Sequence, residues 1–208
     1  MAMQSMSESV LTNIKRSNIK LDHMIEVNNE LKKQGRTTGT ELIVPLPGES
    51  KESFVNGLNN VINSNVSRVV IYTLMMLHGT HFKLPEYRKK YEYLAKFRIV
   101  PLNFGEYDGQ KIFDYEEVGV GTKDFSFDDY LFIRTLALFV ETLYNGKPFE
   151  EFFKYAKFYN IQPATLLQIL YDNLSEAPKD VQSIVNGFLD ETKSELWDTE
   201  KDLLDFYN

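Results

Sequence analysis

Residues 40–50 read Thr40-Glu41-Leu42-Ile43-Val44-Pro45-Leu46-Pro47-Gly48-Glu49-Ser50, and their order dictates the fold class. Glu41 to Leu46 is a short, nearly continuous apolar run, with Gly39 before it and Pro47-Gly48 after it. That is the pattern of a buried strand. Proline presets φ and glycine tolerates positive φ, so Pro47-Gly48 marks a turn. Ser50 then stands where a helix is capped, and Phe54, Val55, Leu58, Val61 and Ile62 behind it share one helical face. A second apolar run, Val69-Val70-Ile71-Tyr72-Thr73-Leu74, follows at once. The expectation is an α/β protein with parallel strands near 40–46 and 68–75, joined by a right-handed helical crossover.

Toward the N-terminus, Ser5 and Glu8 have the spacing of a capping box, opening a helix with Val10, Leu11 and Ile14 inside and Arg16 at its end. A second helix, Leu21 to Gln34, carries Met24, Ile25, Val27 and Leu31, and Gly35 suits its stop. Toward the C-terminus, His78-Gly79-Thr80-His81 is a turn and Pro85 to Tyr91 a short charged helix. Phe97 to Pro101 reads as a short strand, Gly105 to Gly109 as a turn, and Lys111 to Val120 as a further extended segment. From Ser126 the chain turns helical. Ser126 with Asp129 caps a helix of Tyr130, Leu131, Ile133, Leu136, Leu138, Phe139, Val140 and Leu143, apolar on most sides. Pro148, Pro163 and Pro178 each stand where a first helical residue would. A last helix runs from about Pro178 to Phe206. The natural boundary, Gly121 to Phe125, divides an α/β part at 1–121 from a helical module at 122–208.

A chain of 208 residues can bury one good core, and a composition of 43% hydrophobic and 25% charged residues excludes neither an enzyme nor a binding module. The formal charge of -7 argues against a nucleic-acid footprint, which needs a basic face. No apolar run approaches the ~20 residues of a membrane span, and the polar N-terminus lacks the apolar segment of a signal peptide. The expectation is a cytoplasmic protein that meets neither nucleic acid nor membrane. The sequence contains no cysteine, which removes disulfides, thiolate zinc sites, cysteine nucleophiles and cysteine ligation of an iron–sulfur cluster.

Several stretches carry a family resemblance. "ELIVPLPGESKESF" resembles the fifth-strand motif of radical S-adenosylmethionine (radical SAM) enzymes, an apolar strand ending in G-x-PGE-[TS]. Gln4-Ser5, Val10-Leu11 and Arg16 resemble that family's "QS-x-x-x-x-VL-x-x-x-x-R" stretch. "VVIYTLMML-x-GT", "PEYRKKY" and "KFRIVPLNFGEYDGQKIFDYEEVGVGT" resemble members that also carry a cobalamin-binding domain. The resemblance covers roughly the first two thirds of the chain, and the order and spacing of the motifs make it specific. It implies the C-terminal part of a partial (β/α) barrel followed by a helical module. The family's CxxxCxxC cluster loop is missing and the chain starts mid-pattern, so the resemblance implies a fragment whose missing N-terminal half is its partner.

By the same resemblance the parent enzyme cleaves S-adenosylmethionine at a [4Fe–4S] cluster, with cobalamin as a further cofactor, and this chain alone binds none of them and is inert. Gln4 and Glu41 are the implied contacts to the ribose hydroxyls, Arg16 to the cofactor's carboxylate, and Gly48 belongs to the adjoining turn. The chemistry is apt, since a carboxylate accepts from two vicinal hydroxyls and a guanidinium grips a carboxylate at two points. Glu41 has separate support, because an acid buried in an apolar strand is costly without a partner. Pro45 replaces the usual glycine and removes a ladder donor. Gly48-Glu49 also reads simply as a helix-capping turn.

Other candidates have plainer readings. His78 and His81 have H-x-x-H spacing without an apparent third ligand, which fits a solvated turn better than a metal site. Glu116 and Glu117 are neighbours in a strand, so they point to opposite faces and suit pairing roles. Phe149, Phe152, Phe153, Tyr155, Phe158 and Tyr159 fit a helix core better than a ligand box. A half-barrel would leave an exposed strand edge and an apolar inner face, expected to recruit a second copy or to be covered by the C-terminal helices. The reading from a different class is a non-catalytic protein-interaction module.

Overall fold

The structure, a computed structural model, describes residues 2–207. In chain order the elements are β1 (Ala2–Gln4), α1 (Glu8–Asn13), α2 (Leu21–Lys33), β2 (Gly39–Val44), α3 (Lys51–Asn63), β3 (Arg68–Met75), α4 (Pro85–Tyr91), β4 (Leu94–Tyr107) and β5 (Gln110–Gly121). The helical part follows as α5 (Phe127–Phe139), α6 (Glu150–Phe158), α7 (Pro163–Asp172), α8 (Lys179–Ser194) and α9 (Glu200–Tyr207), with a π-helical turn at Val140–Tyr144.

The strand–helix–strand unit forms as the sequence dictates. β2 and β3 pair in parallel, from Gly39 opposite Arg68 to Val44 opposite Thr73. β2 stops at Val44, because Pro45 has no N–H to continue the ladder. Ser50 caps α3 through a reciprocal pair with Ser53. β1 joins the outer side of β2 in parallel. On the other side β3 pairs antiparallel with β5, and β5 antiparallel with β4, giving an open mixed sheet in the order β1-β2-β3-β5-β4. The class is therefore α/β.

Alternation along the strands decides where the core lies. Leu42, Val44, Val69 and Ile71 are buried in one cluster with Met24 of α2, Phe54, Leu58 and Val61 of α3, Ile133 and Leu136 of α5, Leu167 of α7 and Val185 of α8. This cluster crosses residues 121–125, so the α/β part and the helical part share one core. α2 of the β1–β2 crossover and α3 of the β2–β3 crossover lie on this same face, while α1 sits at the carboxyl end of the strands, where its Val10 joins a separate cluster. The C-terminal helices pack there too, rather than across the other face. On that other face Glu41 and Tyr72 are exposed, and Ile43 and Val70 are half-buried. Only its carboxyl-terminal end is plugged, by Val10, Leu46, Leu74 and Met76 with Phe82 and Tyr93 around them.

Side-chain amides fasten the helical layer. Asn28 Nδ2 donates to the Ser64 carbonyl at 3.0 Å, linking α2 to the end of α3. Asn59 Oδ1 accepts the Ala164 N–H at 2.8 Å and so caps α7 from α3. Asn145 takes both backbone groups of Val69, accepting its N–H at 3.0 Å and donating to its carbonyl at 2.8 Å.

Several expectations are corrected. Ser5 does not cap α1; Ser7 occupies the cap position, and the Ser5 hydroxyl is used elsewhere. The short strand at 97–101 and the turn at 105–109 are one long hairpin, whose only turn is Asp108-Gly109 at φ 51° and 77°. Positive φ at both positions suits a two-residue hairpin loop. The last helix is broken into α8 and α9, because Trp197 pairs with Phe97 of β4 through N–H···O bonds of 2.8 Å in both directions. Thr199 then caps α9 by accepting the Asp202 N–H. Of the three prolines only Pro163 opens a helix; Pro178 precedes α8, and Pro148 lies two residues ahead of α6. The aromatic run of α6 is not core: Phe149, Phe152, Tyr155, Phe158 and Tyr159 are exposed, and only Phe153 is partly covered.

Leu58 sits at the centre of the shared cluster with no exposed surface. Leu58→Ala should therefore lower the unfolding free energy by about 2–5 kcal/mol in urea titration, without loss of cooperativity. A cost under ~1 kcal/mol would show that α3 does not anchor the core.

Candidate functional site

Open α/β sheets bind ligands beyond the carboxyl ends of their parallel strands. Here those ends are Gln4, Val44 and Met75, and the segments leaving them build the site. β1 ends at Gln4 with φ 53°, after which the chain turns toward α1. The Pro47-Gly48 turn leaves β2 beneath α1, where Asn13 Nδ2 donates to the Pro47 carbonyl at 2.8 Å. Glycine suits this position chiefly by its backbone, and a side chain would also displace Asn13. Its φ is 84°, and a Cβ would stand 2.7 Å from Asn13 Nδ2. Tyr87 of α4 closes this end by donating its hydroxyl to the Asn13 carbonyl at 3.0 Å.

Glu49 is the most constrained polar group of the turn. Its side chain is fully buried. Ser5 Oγ donates to Oε2, and Ser53 Oγ donates to Oε1. Burial pushes the carboxyl above the ordinary glutamate range, and the two hydroxyls pull it only part of the way back. The side chain thus ties the end of β1 to the turn and to the first turn of α3. The sequence reading took Gly48-Glu49 as a turn and missed this role. The only local signal is Ser53, one helical turn after Glu49.

The four residues marked from sequence lie as follows. Gln4 is half-buried and sits opposite Leu42 of β2. Arg16 is exposed beyond α1 and lines a shallow groove with Met6, Ser17 and Asn18. Gly48 is in the turn just described. Glu41 is exposed on the uncovered sheet face, three residues before Val44, or about 10 Å down the strand. Glu41 is therefore not the buried acid expected from the sequence: it faces solvent and needs no partner. β1 and β2 place Gln4 and Glu41 on adjacent strands. Among the described residues, no hydrogen bond or ion pair joins Gln4, Arg16 and Glu41 side chains to one another.

Glu116 and Glu117 point to opposite faces, as read. Glu116 accepts from Arg98 Nε at 2.8 Å, and Arg98 reaches Glu195 of the α8–α9 segment at 3.1 Å. Glu117 receives both Lys83 and Arg88. Burial alone would raise its pKa, but these two cations outweigh it and hold the carboxyl below the usual range. His81 stacks on Tyr87 with ring centroids 5.9 Å apart. Among the described residues no three His, Asp or Glu side chains group as metal ligands. No protein-family model matches the chain, and no curated protein does.

The raised pKa of Glu49 fixes a sign. The folded state holds the proton more tightly than the unfolded chain, whose value lies near 4.5. The stability linked to that proton is complete below this pH and is lost as pH rises through the folded value. Glu49→Gln keeps the shape and removes the charge. Urea midpoints measured from pH 4.5 upward to pH 8 should show wild type losing stability relative to Glu49→Gln. Curves that stay parallel would mean Glu49 titrates normally in the fold.

Proposed function

We propose that this chain is the C-terminal part of a radical SAM barrel, supplying contacts to the ribose and carboxylate of S-adenosylmethionine while its helical part closes the substrate side. The observation that carries the reading is the winding. β1, β2 and β3 are parallel and adjacent in sequence order, and α2 and α3, one from each crossover, lie on one face, with α1 at the carboxyl end of the strands. A doubly wound sheet would carry helices on both faces. A barrel has them outside only, with the inner face turned toward the remaining strands. The uncovered face of Glu41, Ile43, Val70 and Tyr72 is then the barrel interior, and the free side of β1 is where the preceding strand pairs.

The donor set suits the cofactor. Glu41 presents an exposed carboxylate on that inner face, without an ion-pair partner among the described residues and able to accept from two vicinal hydroxyls. Gln4 adds an amide from the next strand. Arg16 presents an exposed guanidinium in the groove it shares with Met6, Leu21 and Asn60, a cation of the kind that would grip the amino-acid carboxylate. The [4Fe–4S] cluster does not fit this chain, which has no thiolate to hold it. In this reading cluster and cobalamin belong to the missing N-terminal half, and the chain is inert alone. Without that half, the same face is the surface through which copies of the chain would self-associate. A non-catalytic interaction module is the second reading, favoured by the exposed aromatic run of α6.

A titration of the 15N-labelled chain with S-adenosylhomocysteine separates the two. The barrel reading expects amide shifts at Gln4, Arg16, Glu41 and Gly48, saturating around millimolar ligand. Arg16→Ala and Glu41→Ala should each weaken binding about tenfold. No shift at these four positions up to about 5 mM would remove the SAM reading and leave the interaction module.

A further inference from the structure

Between α6 and α7 runs a groove lined by Leu143, Phe149, Phe152, Phe153, Leu166 and Leu170, without a polar group among them. Its volume is about 160 Å³, enough for one benzene-sized group and well below a small-molecule pocket. Phe149 and Phe152 are half exposed, and Tyr155 and Phe158 extend the apolar strip along α6. Contiguous exposed apolar surface of this kind marks a docking site.

Phe153 also floors a second groove, where Lys32, Lys147, Lys154 and Lys157 gather. Their charge is only partly offset. Lys147 and Lys154 share Glu150 at 3.7 and 3.3 Å, and Lys154 also reaches Glu151 at 2.8 Å. Lys32 donates to a neutral amide, Asn65 Oδ1, at 3.0 Å. Lys157 meets no carboxylate among the described residues. A locally basic flank therefore borders the apolar groove, on a chain whose formal charge is -7.

We propose that the α6–α7 groove and its lysine flank dock an acidic amphipathic helix of a partner protein. Such a helix sets apolar side chains at i, i+3, i+4 and i+7 into a groove and turns its polar face to the rim. Here the groove takes one side chain of the apolar ridge, the exposed Phe149, Phe152 and Tyr155 meet the rest of it, and Lys32, Lys147, Lys154 and Lys157 meet its carboxylates. Complementary charge of this sort fixes the partner's sign and register. An anionic bilayer fits less well, because the groove is concave, α6 carries Glu150 and Glu151, and the whole chain is acidic. The inference rests on α6 and α7 and is independent of the SAM reading.

The test uses the whole chain and a fluorescein-labelled synthetic helix, leucine on one face and glutamate on the other. Its counterpart carries lysine for every glutamate. Fluorescence anisotropy should show the acidic helix binding at least about tenfold tighter than the basic one, with affinity falling as salt rises. Phe152→Glu should weaken it about tenfold or more, and Lys154→Glu with Lys157→Glu should reverse the preference. Both sets are exposed, and far-UV circular dichroism confirms that each variant is folded. Four results would overturn the proposal: equal affinity for both helices, no saturation up to about 1 mM, binding to phosphatidylserine vesicles instead, or a dimer of the chain that Phe152→Glu dissolves.

Discussion

The parallel strands β2 and β3 bury one row of side chains and expose the other, and the rest of the molecule follows from that asymmetry. Leu42, Val44, Val69 and Ile71 lie under the helical layer, each within 8% of full burial. At about 1.5–3 kcal/mol per buried aliphatic side chain, these residues fix the register. A slip by one residue would drive Glu41 and Tyr72 into the core and lift Leu42 and Val44 out of it. The same register therefore sets Glu41 and Tyr72 together on the uncovered face. Core packing and the candidate site are two consequences of one alternation.

Buried polar groups then place the pieces that alternation leaves free. Glu49 fixes the Pro-Gly turn against β1 and α3, Asn59 sets the start of α7, and Asn145 clamps the end of the π-helical turn onto Val69. Each would be expensive to bury unpaired, so each accepts only a narrow range of geometry. The carboxyl ends of the strands are consequently cross-linked by hydrogen bonds. Asn13, Gly48, Glu49 and Tyr87 interlock there, while the sheet face below them stays open. A hydrogen-bonded rim over an open sheet face suits the barrel reading, which rests on the winding of β1, β2 and β3.

How far the sequence foretold this depends on the range of the forces involved. The β2–α3–β3 unit and the caps at Ser50 and Ser126 were legible, because an apolar run, a helical period and a capping box are local signals. The hairpin was read short. Residues 102–115 lie in a ribbon that is exposed along much of its length, so its apolar pattern is weak, although Asp108-Gly109 stood in the sequence as a turn signal. The break before α9 comes from Trp197 pairing with a strand about a hundred residues earlier, which no local pattern encodes. Glu49 was undervalued for the same reason, since Ser5 lies 44 residues away. Periodicity placed the α6 aromatics on a helix but could not say whether a neighbour covers them. Likewise Glu41 was plainly an acid in an apolar strand, but only the three-dimensional fold shows which face it occupies.

The absence of cysteine makes the open face directly measurable, because one introduced thiol can be followed alone. Tyr72→Cys samples the uncovered face, and Val44→Cys samples the face under α3. In dilute solution a maleimide reagent should modify the Tyr72→Cys chain at a rate close to that of a free thiol. The Val44→Cys chain should react only as fast as the protein opens, at least about a hundredfold slower. Equal protection at both positions would contradict the account, since it would mean that both faces of the parallel sheet are covered.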